Sequence, residues 1–158
     1  MAYFYFPRDE NLRPLNEIEF DALFLGVSNL RGVDLPWGWV KDISGLSFYE
    51  DKGMTVDTGI MGYTKFFSNK ILLSPLTVKG LLWKNIYGIP NNELSVSVVA
   101  HELTHRRQMQ WLYGLAWAFL NIPFIDGLMI EKWARENEAA AREQLAKIYD
   151  RFNNTQLS

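Results

Sequence analysis

Hydrophobic and polar positions follow two rhythms along this chain, and the change between them marks out the elements. A helical spacing of three and four runs from Asn16 to about Leu30, with Ile18, Ala22, Leu23, Leu25 and Leu30 as the positions expected to be buried. Asn16 suits the N-cap, Glu17 and Glu19 put negative charge in the first turn, and Gly32 and Pro36 close the segment. Ahead of it, residues 2–6 alternate small and aromatic side chains, as in a short strand or an aromatic arm, and 7–14 reads as a polar turn. Strand signals follow at 46–50, 61–67 and 70–74, with Ser68-Asn69 as a tight connection. Pro75 then starts a helix that ends at Gly88-Ile89-Pro90.

Asn91 or Asn92 caps the next helix, on which Leu94, Val98, His101, His105, Gln108 and Leu112 share one stripe. Asn121, Pro123, Asp126 and Gly127 form a turn signal before a last long helix from Met129 to about Phe152. Its stripe is Trp133, Asn137, Ala141, Leu145, Ile148 and Phe152, and residues 153–158 read as a polar, frayed end. The pattern predicts an α+β fold, mostly helical, with a short antiparallel or mixed β-sheet and two long helices. With no repeat or linker composition in between, residues 1–158 are expected to form one domain.

Composition narrows the function more than the fold. A net charge of -2 and no basic stripe argue against nucleic acid as a partner. There is no cysteine, so no disulfide framework and no thiolate ligand. The N-terminus lacks the basic and apolar regions of a signal peptide, and a cytoplasmic location is expected. From Trp111 to Ile130 the only formal charge is Asp126, a span-length apolar stretch. The Asn, Pro and Gly inside it would break a spanning helix, which leaves peripheral membrane contact through 111–130 as the alternative.

The candidate chemistry lies in HELTH, residues 101–105, which holds both histidines of the chain. Histidines four apart sit on one helical face and reach one metal ion, and Glu102 beside them can take a proton from a water molecule: the HExxH arrangement of two zinc ligands and a general base. Catalytic Zn2+ takes three protein ligands and keeps a position open. With no third histidine and no cysteine, the third must be a carboxylate, and the last helix offers Glu131, Glu136, Glu138 and Glu143. Periodicity puts Glu136 and Glu138 on opposite flanks of the stripe and does not choose between them. Gln108, one turn beyond His105, is placed to hold a ligand or the substrate backbone. The pair Arg106 and Arg107 reads as solvated or interfacial charge, and the strand Lys70–Ser74 as the edge beside which an extended peptide would lie.

His101-Glu-Leu-Thr-His105-x-x-Gln108, then Gly114 and Phe119, then Glu136-Asn137-Glu138-Ala139, resembles the gluzincin zinc metallopeptidases, and more closely small HExxHxxQ…ExEA metallopeptidase-like proteins without an assigned substrate. The resemblance covers about residues 70–145. It implies a small zincin-like domain with its metal-site core at about 70–150, one Zn2+ per chain, and Glu136 as third ligand with Glu138 in reserve. In many gluzincins an Asp four residues after that ligand orients a histidine; here Ala140 stands there. The implied activity is hydrolysis of a peptide or protein substrate, with Glu102 as base. Tyr113, Tyr149 and the arginine pair are the available oxyanion donors. The competing expectation is a non-catalytic zinc-binding module on the same scaffold.

Overall fold

A computed structural model describes residues 5–65, 68–111 and 126–157. Among them are a four-stranded sheet and four helices, which gives the α+β architecture expected from the pattern. The strands are β1 (Leu12–Pro14), β2 (Ser47–Asp51), β3 (Gly62–Thr64) and β4 (Lys70–Leu73). The helices are α1 (Glu17–Leu30), α2 (Pro75–Leu81), α3 (Glu93–Trp111) and α4 (Asp126–Leu157).

The sheet is mixed, in the order β1-β2-β4-β3: β1 and β2 are antiparallel, β2 and β4 parallel, β4 and β3 antiparallel. That order corrects the placing of Lys70–Ser74 at the edge. β4 is bonded on both sides, and Ile71, Leu72 and Leu73 are fully buried, as a run of apolar residues on an interior strand requires. The edge nearest the long helices is β3. β1 falls in the stretch read as a polar turn, because Leu12-Arg13-Pro14 carries no alternation; Pro14 is tolerated there as the end of an edge strand.

α1 begins with a full capping box: the Asn16 side chain accepts from Glu19 N at 2.8 Å and Glu19 Oε1 accepts from Asn16 N at 2.9 Å. Glu19 also receives both terminal nitrogens of Arg13 at 2.9 and 3.1 Å, and Arg13 reaches Glu50 Oε2 at 2.7 Å. One arginine thus binds α1 to β1 and β2. This pairing lets Glu19 face inward with Leu23, Val27 and Leu30, and it turns Ile18 and Leu25 out to solvent, against the expectation for those two.

α2 starts at Ser74, whose hydroxyl accepts from Thr77 N at 3.1 Å, with Pro75 in the first turn. It stops at Leu81, earlier than expected, and 82–90 folds into a hydrogen-bonded turn. α4 is longer than the pattern suggests and takes in the polar end up to Leu157. It packs along α3 through Ala134, Asn137, Ala141 and Leu145, all fully buried, and small residues there let the two axes approach. The buried line is Ile130, Ala134, Asn137, Ala141, Leu145 and Tyr149; Phe152 and, on α3, Leu94 are exposed rather than buried.

No helix among the described residues is long and apolar enough to cross a membrane. Most of 111–130, with Tyr113, Gly114 and Phe119, lies outside the described residues, as does most of the strand or arm expected at 2–6.

Removing the Glu19 side chain (Glu19→Ala) should lower the unfolding free energy by about 1.5–3 kcal/mol in a denaturant titration, the sum of a lost cap and a lost bidentate pair. Arg13 holds the Glu19 carboxyl below its usual value of 4.5, against the opposing effect of burial. A depressed folded pKa contributes stability above about 4.5 and loses it as pH falls through the folded value. The gap between wild type and variant should therefore close as the titration is repeated below pH ~4; a gap that stays constant to pH ~2 would remove Glu19 from the explanation.

Candidate metal centre

α3 presents His101 and His105 one turn apart, with ring centroids 4.8 Å from each other and planes at 73°. Their Nε2 atoms are 3.1 Å apart. From α4, Glu131 reaches between them, Oε1 2.6 Å from His105 Nε2 and Oε2 3.3 Å from His101 Nε2. Ligands about 2.1 Å from a tetrahedral ion are separated by about 3.4 Å, so three donors spaced in this way can hold one metal ion. His101, His105 and Glu131 form that group.

Each imidazole has a polar neighbour on its far side. Gln108 Oε1 lies 2.9 Å from His105 Nδ1, while Gln108 Nε2 donates to the Ile130 carbonyl at 3.2 Å. An amide whose NH2 is committed to a carbonyl offers its oxygen to the ring, so Nδ1 carries a proton, and Nε2 is the atom that would give its lone pair to a bound metal. Glu138 Oε1 stands 2.7 Å from His101 Nδ1. It lies off the ring's N–H direction, so this is a close charge contact and not a directed hydrogen bond.

The electrostatics suit a cation. Burial alone would lower the His101 pKa, but Glu131 and Glu138 outweigh it and push it up to about 10. Burial would raise Glu131, yet the two imidazoles hold it well below the carboxylate range. A ring that draws a proton so strongly sits where positive charge is favoured, and a cation on the same donors would supply that charge.

Glu102 is buried on the β3 side of α3. Its Oε1 is 2.9 Å from Thr64 Oγ1, which also lies 3.0 Å from the Glu102 backbone carbonyl. Burial pushes the Glu102 pKa up, with the histidines and Thr64 opposing it. Gly62 lies against the other carboxylate oxygen: a Cβ there would come 2.9 Å from Glu102 Oε2 and 3.1 Å from Val98 Cγ1. The missing side chain leaves room beside the atom that is free to take a proton.

The four glutamates of the last helix separate accordingly. Glu131 joins the histidines and Glu138 backs His101. Glu136 points away and accepts from Trp37 Nε1 at 2.5 Å, and Glu143 pairs with Lys147 in solvent at 3.3 Å. Trp37 stacks on Trp133 at 4.5 Å, and Asn137 clamps its backbone, accepting from Trp37 N at 2.9 Å and donating to Trp37 O at 3.1 Å. Glu136 therefore serves the 36–39 loop. Arg106 donates to the Ser68 carbonyl, and Arg107 is exposed. Tyr149 donates to Asn92 at 3.0 Å near the start of α3, remote from the histidines.

Thr64, Gly62 and Asn137 have no signal in the sequence that marks them as parts of the site. Glu131 does have one: it lies seven residues, two turns, before Glu138, on the same flank of the line Ile130–Ala134–Asn137–Ala141.

No protein-family model, curated protein or solved structure matches the chain. The likeness to gluzincins rests on the motif residues alone.

Asn137→Ala should cost about 2–3 kcal/mol, because Trp37 N and O and the Thr104 hydroxyl all lose a buried partner at once. A loss under ~0.5 kcal/mol in urea unfolding would show that water replaces the amide and that the loop is held by the tryptophan stack instead.

Proposed function

We propose that this chain is a zinc-dependent hydrolase acting on peptide bonds, with His101, His105 and Glu131 holding the ion and Glu102 as general base. The observation that carries the reading is the pair of Nε2 atoms and a carboxylate converging on one point, next to a buried glutamate with one oxygen uncommitted. Neutral imidazoles and a carboxylate are the donor set that leaves an ion both Lewis-acidic and open to water, and zinc suits it. A bound Zn2+ supplies polarisation of a carbonyl and acidifies water. Glu102 accepts the proton at Oε2, while Thr64 fixes Oε1 so that the carboxylate does not rotate away, and Glu102 then returns the proton to the leaving amine. Its raised pKa brings it closer to neutral pH, where acceptance and return are balanced. Glu138 puts a negative charge beside His101 Nδ1, where the gluzincin pattern would have an acidic residue at the position of Ala140.

Substrate lies along β3 in this reading. Among the described residues no strand pairs with its outer edge, and Thr64 on that strand holds the general base. An extended peptide hydrogen-bonded to β3 would run past Glu102.

Zinc content by mass spectrometry, with turnover on a quenched-fluorescent peptide library, tests the reading. Wild type should hold one zinc per chain. His105→Ala and Glu131→Ala should lose it, and Glu136→Ala should keep it. Gln108→Leu should keep the fold and weaken zinc binding about 10–100-fold. Glu102→Gln should keep zinc and lose turnover by about a hundredfold or more. Loss of zinc with Glu138→Ala and not with Glu131→Ala would move the third ligand by two turns of α4. Full zinc with no turnover on any peptide would make the chain a metal-stabilised binding module.

A further inference from the structure

The turn between α2 and α3 holds apolar side chains out to solvent, away from the metal centre. Ile86 is 91 % exposed, the highest value for a large apolar side chain among the described residues, with Trp83 at 55 %, Tyr87 at 51 % and Leu82 at 41 %. Leu76, in the first turn of α2, is 52 % exposed.

The turn is built, not loose. Asn85 Oδ1 accepts from Tyr87 N and Ile89 N, both at 2.9 Å, and its own N–H donates to Ile89 O at 2.9 Å. Gly88 takes a positive φ of 77°, which closes the turn and suits only glycine comfortably. Asn91 N returns to Trp83 O at 3.0 Å, and the Asn85 side chain is tied to Asn153 of α4. A scaffold this well bonded fixes an apolar tip in water, which has a cost unless the tip is covered in use.

The charges around the tip say what covers it. Lys79 and Lys84 are exposed and make no ion pair among the described residues. From Thr58 to Asn92 there is no Asp or Glu, while Lys65, Lys70, Lys79 and Lys84 all fall there, in a chain of net charge -2. An exposed aliphatic side chain with Trp, Tyr and lysines beside it is the set of groups that an anionic bilayer takes up, in its acyl edge, its interface and its phosphates. A projecting tip fits a soft surface better than a preformed groove, and the apolar tip in a chain of net charge -2 argues against a nucleic-acid backbone.

We propose that the 82–88 turn docks the protein on anionic membranes, with Ile86, Trp83 and Tyr87 entering the interface and Lys79 and Lys84 meeting lipid phosphates. The turn leads into the N-terminus of α3, and the eight residues from Glu93 to His101 put the first histidine about 12 Å along that helix. Docking there leaves the metal centre clear of the lipid contact. The inference does not depend on the reaction proposed above.

Co-sedimentation of the full chain with vesicles tests it, using phosphatidylcholine alone and phosphatidylcholine with about 30 % phosphatidylserine, the range over which lysines sense surface potential. Binding should require phosphatidylserine and fall with salt. The double change Ile86→Glu with Tyr87→Glu should weaken it about tenfold or more, and Lys79→Glu with Lys84→Glu should do likewise, near fivefold for each lysine lost. The far-UV circular dichroism spectrum and the urea midpoint should stay as in wild type for both, which shows that the fold is intact. Absence of binding to either vesicle would overturn the proposal. So would binding that survives Ile86→Glu with Tyr87→Glu, which would assign lipid affinity to 111–130. Self-association abolished by Ile86→Glu, without lipid binding, would make the tip a contact between copies of this chain.

Discussion

Everything in this structure answers to the burial of carboxylates beside two imidazoles between α3 and α4. An isolated buried carboxylate is strongly disfavoured, and each one here is allowed inside only by a named partner. Glu131 has both Nε2 atoms and Glu102 has the Thr64 hydroxyl, while Glu138, with its side chain 35 % exposed, stands beside His101 at the rim. Those partners come from α3, α4 and β3, so the cluster fixes how three elements lie against one another. The packing residues comply: Ala100, Ala134 and Ala141 are fully buried and small, which brings the helix axes close enough for Glu131 to reach a ring on the facing helix.

Local signals were readable wherever the chemistry is local. HELTH names its own geometry, since the helix alone stacks residues four apart. The Asn16 cap with Glu19 three residues on, and the Ser74-Pro75 start of α2, carry their reasons in adjacent residues and appear as expected. Partners drawn from elsewhere were not readable. Glu136 and Glu131 are both glutamates on one helix, and what separates them is the direction that helix faces. That direction follows from Asn137, a polar residue that turns inward because Trp37 N, Trp37 O and Thr104 all bond to it. A stripe drawn through Trp133 and Phe152 instead places the centre of the buried face off to one side, and the ligand choice moves with it.

The sheet shows the same division. Three of its strands are visible as short runs, yet their order is a matter of long-range pairing that the runs do not encode. β4 looks like an edge only when its neighbour is taken to be the helix that follows; its parallel pairing with β2 closes that side. β1 pairs with β2 through backbone groups and the Arg13–Glu50 salt bridge, with little apolar alternation to announce it. Such strands leave a faint sequence signature because side chains contribute less to them than ladder and charge do.

Gln108 links the metal centre to the position of α4 most directly. Its oxygen is 2.9 Å from His105 Nδ1, and its nitrogen holds the carbonyl of Ile130, the residue immediately before Glu131. The tautomer of one histidine and the location of the carboxylate opposite it are thereby set by one side chain. A shift of α4 along its axis would break the Ile130 contact, free the amide to turn, and take Glu131 away from Nε2 together with it. Conversely, an ion bound by His105 and Glu131 holds both ends of that chain of contacts, so part of its binding free energy is spent on seating α4. Metal affinity and helix packing would then be coupled, and a change made at Gln108, which lies outside the donor group, would be felt in both.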